Sequence, residues 1–171
     1  MGGFFAISLG GNIGDVRGAF REALLVLSKR SDLRLLGTSL VRRTRPWGVV
    51  SPDYLNMVAV GYARIGAPGI FSLLLRTERR FRPRGKGKLY PRTLDLDFLE
   101  YSGPFFPIKD LLLPHPRLHL RPELMALLSA ARRGEGSRWI LPRLRRDERI
   151  RNEGSRPGTV RCDGGWRNRN P

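Results

Sequence analysis

The stretch FFAISLGGNIGDVRGAFREALLVL, residues 4–27, decides the fold class of this chain. Its first part, Phe4 to Leu9, is a short apolar run that ends at Gly10-Gly11-Asn12, which is typical of a strand followed by a turn. Asp15 can then cap a helix, because its side chain can accept a hydrogen bond from a backbone N–H of the first turn. The apolar residues that follow recur at helical spacing, at Phe20, Leu24, Leu25 and Leu27. The stretch therefore predicts a strand, a turn and a helix.

Two more strands, a second helix and a last strand follow along the chain. Leu33 to Thr44 and Tyr54 to Ala63 are strand-like and flank a loop with prolines and a glycine, which predicts an antiparallel pair. Pro68 suits the first turn of the second helix, and Thr93 to Tyr101 predicts the fourth strand. The order strand, helix, strand, strand, helix, strand predicts an α+β, ferredoxin-like sandwich, with helices packed on one face of an antiparallel sheet.

Residues 132–171 differ in composition from the rest of the chain. They contain twelve arginines against five acidic residues and are rich in glycine, asparagine and proline. Because such a segment can bury little apolar surface, we predict a folded domain over residues 1–131 and a largely disordered basic tail over residues 132–171. The abrupt change in composition also raises the hypothesis that the tail is an aberrant, frameshifted end.

The bulk properties of the chain restrict its class. Its 171 residues, 40% of them hydrophobic, suffice for one domain with a core. No apolar run approaches the roughly 20 residues that cross a bilayer, so we expect a cytoplasmic protein without membrane contact. The single cysteine, Cys162, leaves no partner for a disulfide or a cysteine zinc site. The formal net charge of +17 predicts an anionic partner, either nucleotide phosphates or nucleic acid.

The stretch PRTLDLDFL, residues 91–99, is the most informative about chemistry. Alternation along a strand places Thr93, Asp95 and Asp97 on one face and the intervening apolar residues on the other. Two carboxylates about 7 Å apart at Cα repel each other unless they are solvated or share a cation. Mg²⁺ takes one or two carboxylates together with water and substrate phosphates, so the pair suits a magnesium nucleotide. The alternative is a solvated edge strand with two surface aspartates.

A run of basic residues precedes this pair, with Glu78 as the one acidic residue among them. Its members are Arg76, Arg79, Arg80, Arg82, Arg84, Lys86, Lys88 and Arg92. Such a run is usually a solvated face, but beside an Asp-x-Asp strand it can bind a triphosphate, because arginine forks pair with phosphate oxygens. The chain has neither a P-loop nor a dinucleotide fingerprint, so any nucleotide site must be built from side chains.

Four blocks of the sequence together resemble the 6-hydroxymethyl-7,8-dihydropterin pyrophosphokinase family. They are Ser8 to Asp15, Arg43 to Gly48 with Tyr54-Leu55-Asn56, Pro91 to Asp97, and Leu113 to Arg117 with Arg121. The resemblance spans about residues 5–128 and implies the ferredoxin-like fold. It also implies that ATP donates its terminal pyrophosphate to the hydroxymethyl group of the dihydropterin, with release of AMP, in folate biosynthesis.

The resemblance also implies roles for individual residues. Asp95 and Asp97 would hold two Mg²⁺ ions, and Arg82 and Arg92 would join them as catalytic residues. The implied ATP-binding residues are Glu78, Arg82, Arg84, Arg92, His115 and Arg121, with Arg82 and Arg84 on a loop that closes the site. The implied pterin-binding residues are Thr44, Arg45, Trp47, Tyr54 and Asn56. The alternatives are an ordinary structural hydrogen bond for His115 and core packing for Tyr54 and Trp47.

The chain departs from the family pattern at Glu123, where the family usually has a phenylalanine that stacks on the pterin. Two rival functions stay open, the first because of Glu123 and the second because ferredoxin-like sheets and arginine-rich tails can also bind RNA. One is an inactive family member that still binds ATP, and the other is a basic RNA-binding module of ferredoxin-like fold. We further expect a monomer whose tail binds nucleic acid only non-specifically.

Overall fold

The computed structural model describes residues 2–45, 52–81 and 92–137. The elements in these ranges are β1 (Gly3–Gly11), α1 (Val16–Ser28), β2 (Leu33–Thr38), β3 (Arg42–Thr44), β4 (Tyr54–Ala63), α2 (Ala67–Arg79), β5 (Asp95–Tyr101) and α3 (Pro122–Arg132). The three helices and the antiparallel sheet of the described ranges confirm the predicted α+β class. None of these helices is long and apolar enough to span a membrane.

The sheet has the strand order β2-β4-β1-β5, and β3 also pairs with β4. β1 therefore lies in the middle, antiparallel to both β4 and β5. This arrangement agrees with the predicted ferredoxin-like plan. Across β1, Gly10 lies between Asn56 of β4 and Asp95 of β5, and Ser8 lies opposite Asp97. The register thus brings polar residues that are far apart in sequence onto three adjacent strands.

The segment from Leu33 to Thr44, predicted as one strand, forms two. Both β2 and β3 pair with β4, and residues 39–41 separate them. The Ser39 hydroxyl accepts a hydrogen bond from Val58 N–H at 2.9 Å and donates one to Leu40 O at 2.9 Å. The hydroxyl thereby takes the place of a backbone carbonyl as the acceptor for Val58 N–H. This change of partner interrupts the backbone hydrogen bonds between β4 and the segment from Leu33 to Thr44.

α1 and α2 cover one face of the sheet. Phe5, Ile7 and Leu9 of β1 are buried in one hydrophobic cluster with apolar residues of both helices. Asp15 caps α1 as predicted, since its carboxylate accepts a hydrogen bond from Gly18 N–H at 2.9 Å. Such a cap contributes about 1 kcal/mol to stability. α2 has the predicted proline in its first turn.

α3 covers part of the opposite face, so the prediction of helices on one face holds only for α1 and α2. Leu124, Leu127 and Leu128 of α3 are buried in a second cluster with Ala6 of β1 and Val58 of β4. The apolar spacing of these leucines is helical and was available in the sequence. Beyond this cluster, the same face of the sheet carries polar side chains.

Residues 133–137 follow α3 and contact the edge strand β2. Gly136 N–H donates to Thr38 O at 2.7 Å, and Thr38 N–H donates to the Ser137 hydroxyl at 3.1 Å. A Cβ at Gly136 would lie 2.1 Å from Ser39 O, so only glycine allows this close approach. Among the described residues, these contacts lie beyond Ala131, the boundary predicted from composition.

We expect a chain that ends after Ala131 to be less stable than one that ends after Ser137, by about 2 kcal/mol. The shorter chain loses both hydrogen bonds at Thr38 and the ion pair between Arg132 and Glu100. Urea unfolding of the two truncated proteins, followed by circular dichroism, measures the difference. Equal free energies of unfolding would show that residues 132–137 do not stabilise the fold.

Candidate active site

Asp95 and Asp97 lie on one face of β5, as the alternation predicts. Leu96 and Phe98 are buried on the other face, in the cluster beneath α1 and α2. The two aspartate side chains are each about one-third exposed, at 33% and 34%. β5 is the outermost strand in the described part of the sheet, so the pair lies at its margin.

Gly10 allows the polar groups of three strands to approach each other. A Cβ at this position would lie 2.9 Å from Asn56 Oδ1 and 4.0 Å from Asp95 Cβ. Asn56 and Asp95 therefore share one face across β1, and their Cα atoms are about 10 Å apart, because adjacent strands lie about 4.8 Å apart. The candidate site thus spans β4, β1 and β5.

Each aspartate has one oxygen beside an arginine. Arg92 donates a hydrogen bond through Nη1 to Asp95 Oδ1, and the same Nη1 lies 3.9 Å from Glu78 Oε1. Arg121 Nη1 lies 4.0 Å from Asp97 Oδ2. Among the residues that the structure describes, no hydrogen bond involves Asp95 Oδ2 or Asp97 Oδ1. These two oxygens are available to a cation.

The electrostatics of the pair favour a bound cation. Burial and the neighbouring Asp95 carboxylate raise the pKa of Asp97, Glu78 adds to the rise, and His115 and Arg121 oppose it. The ionised form of Asp97 is therefore less favoured than that of a solvated aspartate, and a cation would stabilise it. Within the described ranges, no group of three or more His, Cys, Asp or Glu could hold a metal. The pair fits Mg²⁺, which completes its shell with water and substrate oxygens.

Thr44, Tyr54 and Asn56 lie on β3 and β4 at the same end of the sheet. Asn56 is buried, and its Nδ2 donates to Thr44 Oγ1 at 2.6 Å. This hydrogen bond fixes the amide so that its Oδ1 faces Gly10. Tyr54 lies opposite Thr44 in the ladder and two residues before Asn56, which places it on the same face. Arg45 directly follows β3 and is exposed.

His115 lies at the outer edge of β5. Its backbone N–H donates to Leu99 O at 2.8 Å, and its Nδ1 accepts a hydrogen bond from Arg117 N–H at 3.2 Å. With Nδ1 as the acceptor, the neutral ring carries its proton on Nε2, which can donate to an anionic ligand.

A cavity of about 520 Å³ adjoins Asp97 of β5. It is lined by Phe71, Leu96, Asp97, Phe98, residues 108–112, His115 and Pro116. Its volume lies within the range of small-molecule sites, and its lining combines apolar side chains with a few polar groups, as such sites do.

A sequence model of one protein family, described as 7,8-dihydro-6-hydroxymethylpterin-pyrophosphokinase (HPPK), matches residues 6–132 of the chain. The chain belongs to this family. This membership confirms the resemblance that the four sequence blocks indicate.

Proteins similar to this HPPK-family chain include two named 2-amino-4-hydroxy-6-hydroxymethyldihydropteridine pyrophosphokinase. The one from Synechocystis sp. is 30% identical over 137 residues, which cover 80% of this chain and 68% of that protein. The one from Bacillus subtilis is 27% identical over 124 residues, which cover 72% and 74% respectively. A folate synthesis bifunctional protein, mitochondrial, of Arabidopsis thaliana is 34% identical over 123 residues. The match covers 71% of this chain but only 22% of that longer protein.

The predicted site residues of this HPPK-family chain fall into three groups. Around β5 the structure brings together Glu78, Arg92, Asp95, Asp97, His115 and Arg121. On β3 and β4 it brings together Thr44, Tyr54 and Asn56, with Arg45 exposed beside them. Outside the described residues lie Trp47, Arg82 and Arg84.

Ser8 and Arg42 also face the candidate site, although the sequence predicts no role for either side chain. The Ser8 hydroxyl is buried and donates a hydrogen bond to Asp97 Oδ2 at 3.5 Å. Arg42 lies opposite Asn56 in the ladder and is exposed. Ser8 belongs to the first of the four sequence blocks, but only the register of the sheet shows that its hydroxyl meets Asp97 and that Arg42 lies beside Asn56.

Asn12 connects the turn after β1 to the residues before β5. Its Oδ1 accepts a hydrogen bond from Arg92 N–H at 2.9 Å, and its own N–H donates to Arg92 O at 2.8 Å. The Gly-Gly-Asn turn of this HPPK-family chain therefore fixes the backbone of the arginine that contacts Asp95. The two residues are 80 positions apart, so no local pattern could predict the contact.

We expect Asn12→Ala to lower turnover about tenfold and the free energy of unfolding by about 1 to 2 kcal/mol, because Arg92 N–H loses its acceptor. Asn12→Asp keeps an acceptor oxygen at this position and is the matched control. Steady-state AMP release and urea unfolding of both variants test the expectation. An Asn12→Ala protein with unchanged turnover would show that the position of Arg92 does not depend on this contact.

Proposed function

We propose that this chain transfers pyrophosphate from ATP to 6-hydroxymethyl-7,8-dihydropterin and releases AMP, as a step of folate biosynthesis. The observation that carries the proposal is the pair of carboxylates, Asp95 and Asp97, on the same sheet face as Thr44 and Asn56 in a member of the HPPK family. The relatives from Synechocystis sp. and Bacillus subtilis bear the name of this activity.

The transfer requires an acceptor hydroxyl beside the β-phosphorus of ATP. The hydroxymethyl oxygen forms a bond to the β-phosphorus, and the bond from that phosphorus to the oxygen shared with the α-phosphorus breaks. AMP leaves with this oxygen, and the proton of the hydroxyl is released. Such a reaction depends mainly on positioning and on neutralising phosphate charge.

Asp95 and Asp97 would hold Mg²⁺ through Asp95 Oδ2 and Asp97 Oδ1, and we propose two ions. When bound, Mg²⁺ supplies charge neutralisation and a template that orients the reacting oxygens. The guanidinium groups of Arg92 and Arg121, which lie beside the aspartates, would also bind phosphate oxygens. His115 would donate through Nε2 to the same triphosphate. Arg82 and Arg84, outside the described residues, remain proposed phosphate ligands.

The nucleotide and the pterin would bind on opposite sides of the aspartate pair. The cavity beside Asp97, with its apolar walls, suits the nucleoside part of ATP. On the other side, Asn56 Oδ1 can accept a hydrogen bond from a pterin N–H, and Tyr54 offers an aromatic surface. Thr44, Arg45 and Trp47 complete the proposed pterin pocket.

The decisive test is AMP release from Mg-ATP by the full chain, with and without 6-hydroxymethyl-7,8-dihydropterin. The matched control is 6-methyl-7,8-dihydropterin, which lacks the acceptor hydroxyl. AMP release that requires both the hydroxyl and Mg²⁺ supports the proposal. ATP binding without pterin-dependent AMP release would favour an inactive family member, and failure to bind ATP would overturn the proposal.

The remaining features of the protein are proposals of the same kind. We propose that it acts as a monomer in the cytoplasm. We also propose that its arginine-rich C-terminal residues bind nucleic acid only through non-specific phosphate contacts. Sedimentation of the full chain at two concentrations, with and without a short RNA in high and low salt, tests both the oligomeric state and the nucleic-acid binding.

A further inference from the structure

Glu123, which stands where the family usually has a phenylalanine, is a carboxylate beside Arg121, one of the proposed ATP-binding residues. It lies in the first turn of α3, and its Oε1 accepts a hydrogen bond from Arg121 Nε at 3.2 Å. A carboxylate in the first turn of a helix interacts favourably with the helix dipole. The side chain that it binds belongs to the residue at the helix N-cap.

Arg121 lies between two carboxylates. Its Nε is hydrogen-bonded to Glu123 at 3.2 Å, whereas its Nη1 is 4.0 Å from Asp97 Oδ2. The guanidinium is planar and carries five N–H groups in a fixed fork. A hydrogen bond at Nε therefore fixes the plane of the group and leaves its Nη1 and Nη2 edge for other anions.

We propose that Glu123 is a positioning residue, which holds the guanidinium of Arg121 so that its Nη1 and Nη2 edge faces a bound triphosphate. This inference rests on the proposed function. Without the Glu123 carboxylate, Arg121 regains the rotamer freedom of a long side chain. Arg121 is then also drawn toward Asp97, because no second carboxylate holds its guanidinium back from a closer ion pair with Asp97. There it competes with the cation that Asp97 would hold.

The test uses the binding of Mg²⁺ with α,β-methylene-ATP, an analogue whose reacting bridge cannot break, measured by isothermal titration calorimetry. Glu123→Leu removes the acceptor, and we expect it to weaken binding about tenfold, since a hydrogen bond to a charged group is lost. Glu123→Gln keeps a neutral acceptor and should weaken binding about threefold. The matched control is Glu100→Gln, which alters an arginine pair with Arg132 outside the site and should leave the affinity unchanged.

A double-mutant cycle with Arg121→Ala separates positioning from a general effect on the fold. If Glu123 acts through Arg121, Glu123→Leu should have no further effect on affinity in the Arg121→Ala protein. The inference would be overturned if Glu123→Leu weakened analogue binding equally in the unaltered and the Arg121→Ala proteins, or weakened it in neither. Should Glu123→Leu fail to fold, as judged by thermal melting, Glu123→Gln in the same two backgrounds decides the question.

The cycle also distinguishes this inference from the proposed function. If the unaltered chain does not bind the magnesium complex of the analogue, both fail together. If the unaltered chain binds the analogue and releases AMP with the pterin, but Glu123→Leu binds equally well, only the role of Glu123 is overturned.

Discussion

Asp97→Asn should lower turnover by at least about 10³-fold while raising the free energy of unfolding of the ligand-free protein. Activity falls because an amide is a poor ligand for a hard cation, and the charge stabilisation that such an ion supplies is worth several kcal/mol. Stability rises because the amide carries no charge beside Asp95 and Glu78. Measurements of AMP release and of urea unfolding on the same preparation test both parts.

The gain in stability should depend on pH. Burial and the Asp95 carboxylate hold the pKa of Asp97 above its unfolded value, which is about 3.9. The ionised carboxylate therefore reduces stability once the pH rises through the folded-state pKa, and below about pH 4 the cost disappears. Asp97→Asn should thus be more stable than the unaltered protein at pH 7.5 in EDTA and equal to it at acid pH. A variant that is active, or is less stable at pH 7.5, would contradict the metal assignment.

Asn56→Leu should lower kcat/KM for the pterin by about 10² to 10³-fold and leave the affinity for the magnesium complex of α,β-methylene-ATP unchanged. The leucine has a similar volume but cannot accept a pterin N–H, and a site built around a buried polar group discriminates strongly against the loss of one partner. Calorimetry with the analogue and steady-state kinetics with varied pterin separate the two effects.

Thr44→Val is the matched variant for this expectation. It removes the hydroxyl that accepts the Asn56 Nδ2 hydrogen bond at 2.6 Å, but it keeps the amide itself. We expect a smaller loss in kcat/KM for the pterin than in Asn56→Leu, because the amide then remains but is less firmly oriented. A loss of analogue affinity in either variant would show that Asn56 belongs to the nucleotide side of the site.

Local patterns in the sequence predicted the parts of the fold that depend on local physics. The apolar run after Gly3, the cap at Asp15 and the proline at the start of α2 each act within a few residues, and the structure confirms all three. The alternation from Asp95 to Phe98 likewise fixes which side chains are buried. The strand order follows from the order of these elements, since few topologies accommodate it.

Features that depend on distant contacts could not be predicted in this way. The break between β2 and β3 arises because the Ser39 hydroxyl bonds Val58 N–H, and the contact of Gly136 with Thr38 joins residues almost a hundred positions apart. Ser8 begins a block that resembles the family, but its contact with Asp97 depends on the register of the sheet.

The central position of β1 has a consequence for how ligands meet this protein. Its backbone is paired on both sides from Phe5 to Gly10, so the amides beneath the site should exchange with solvent only when the whole domain opens. A surface of this kind has its shape before any substrate arrives. Little binding free energy is then lost in ordering this surface when a substrate binds. The affinity for each substrate therefore depends on how well the substrate fits the preformed surface.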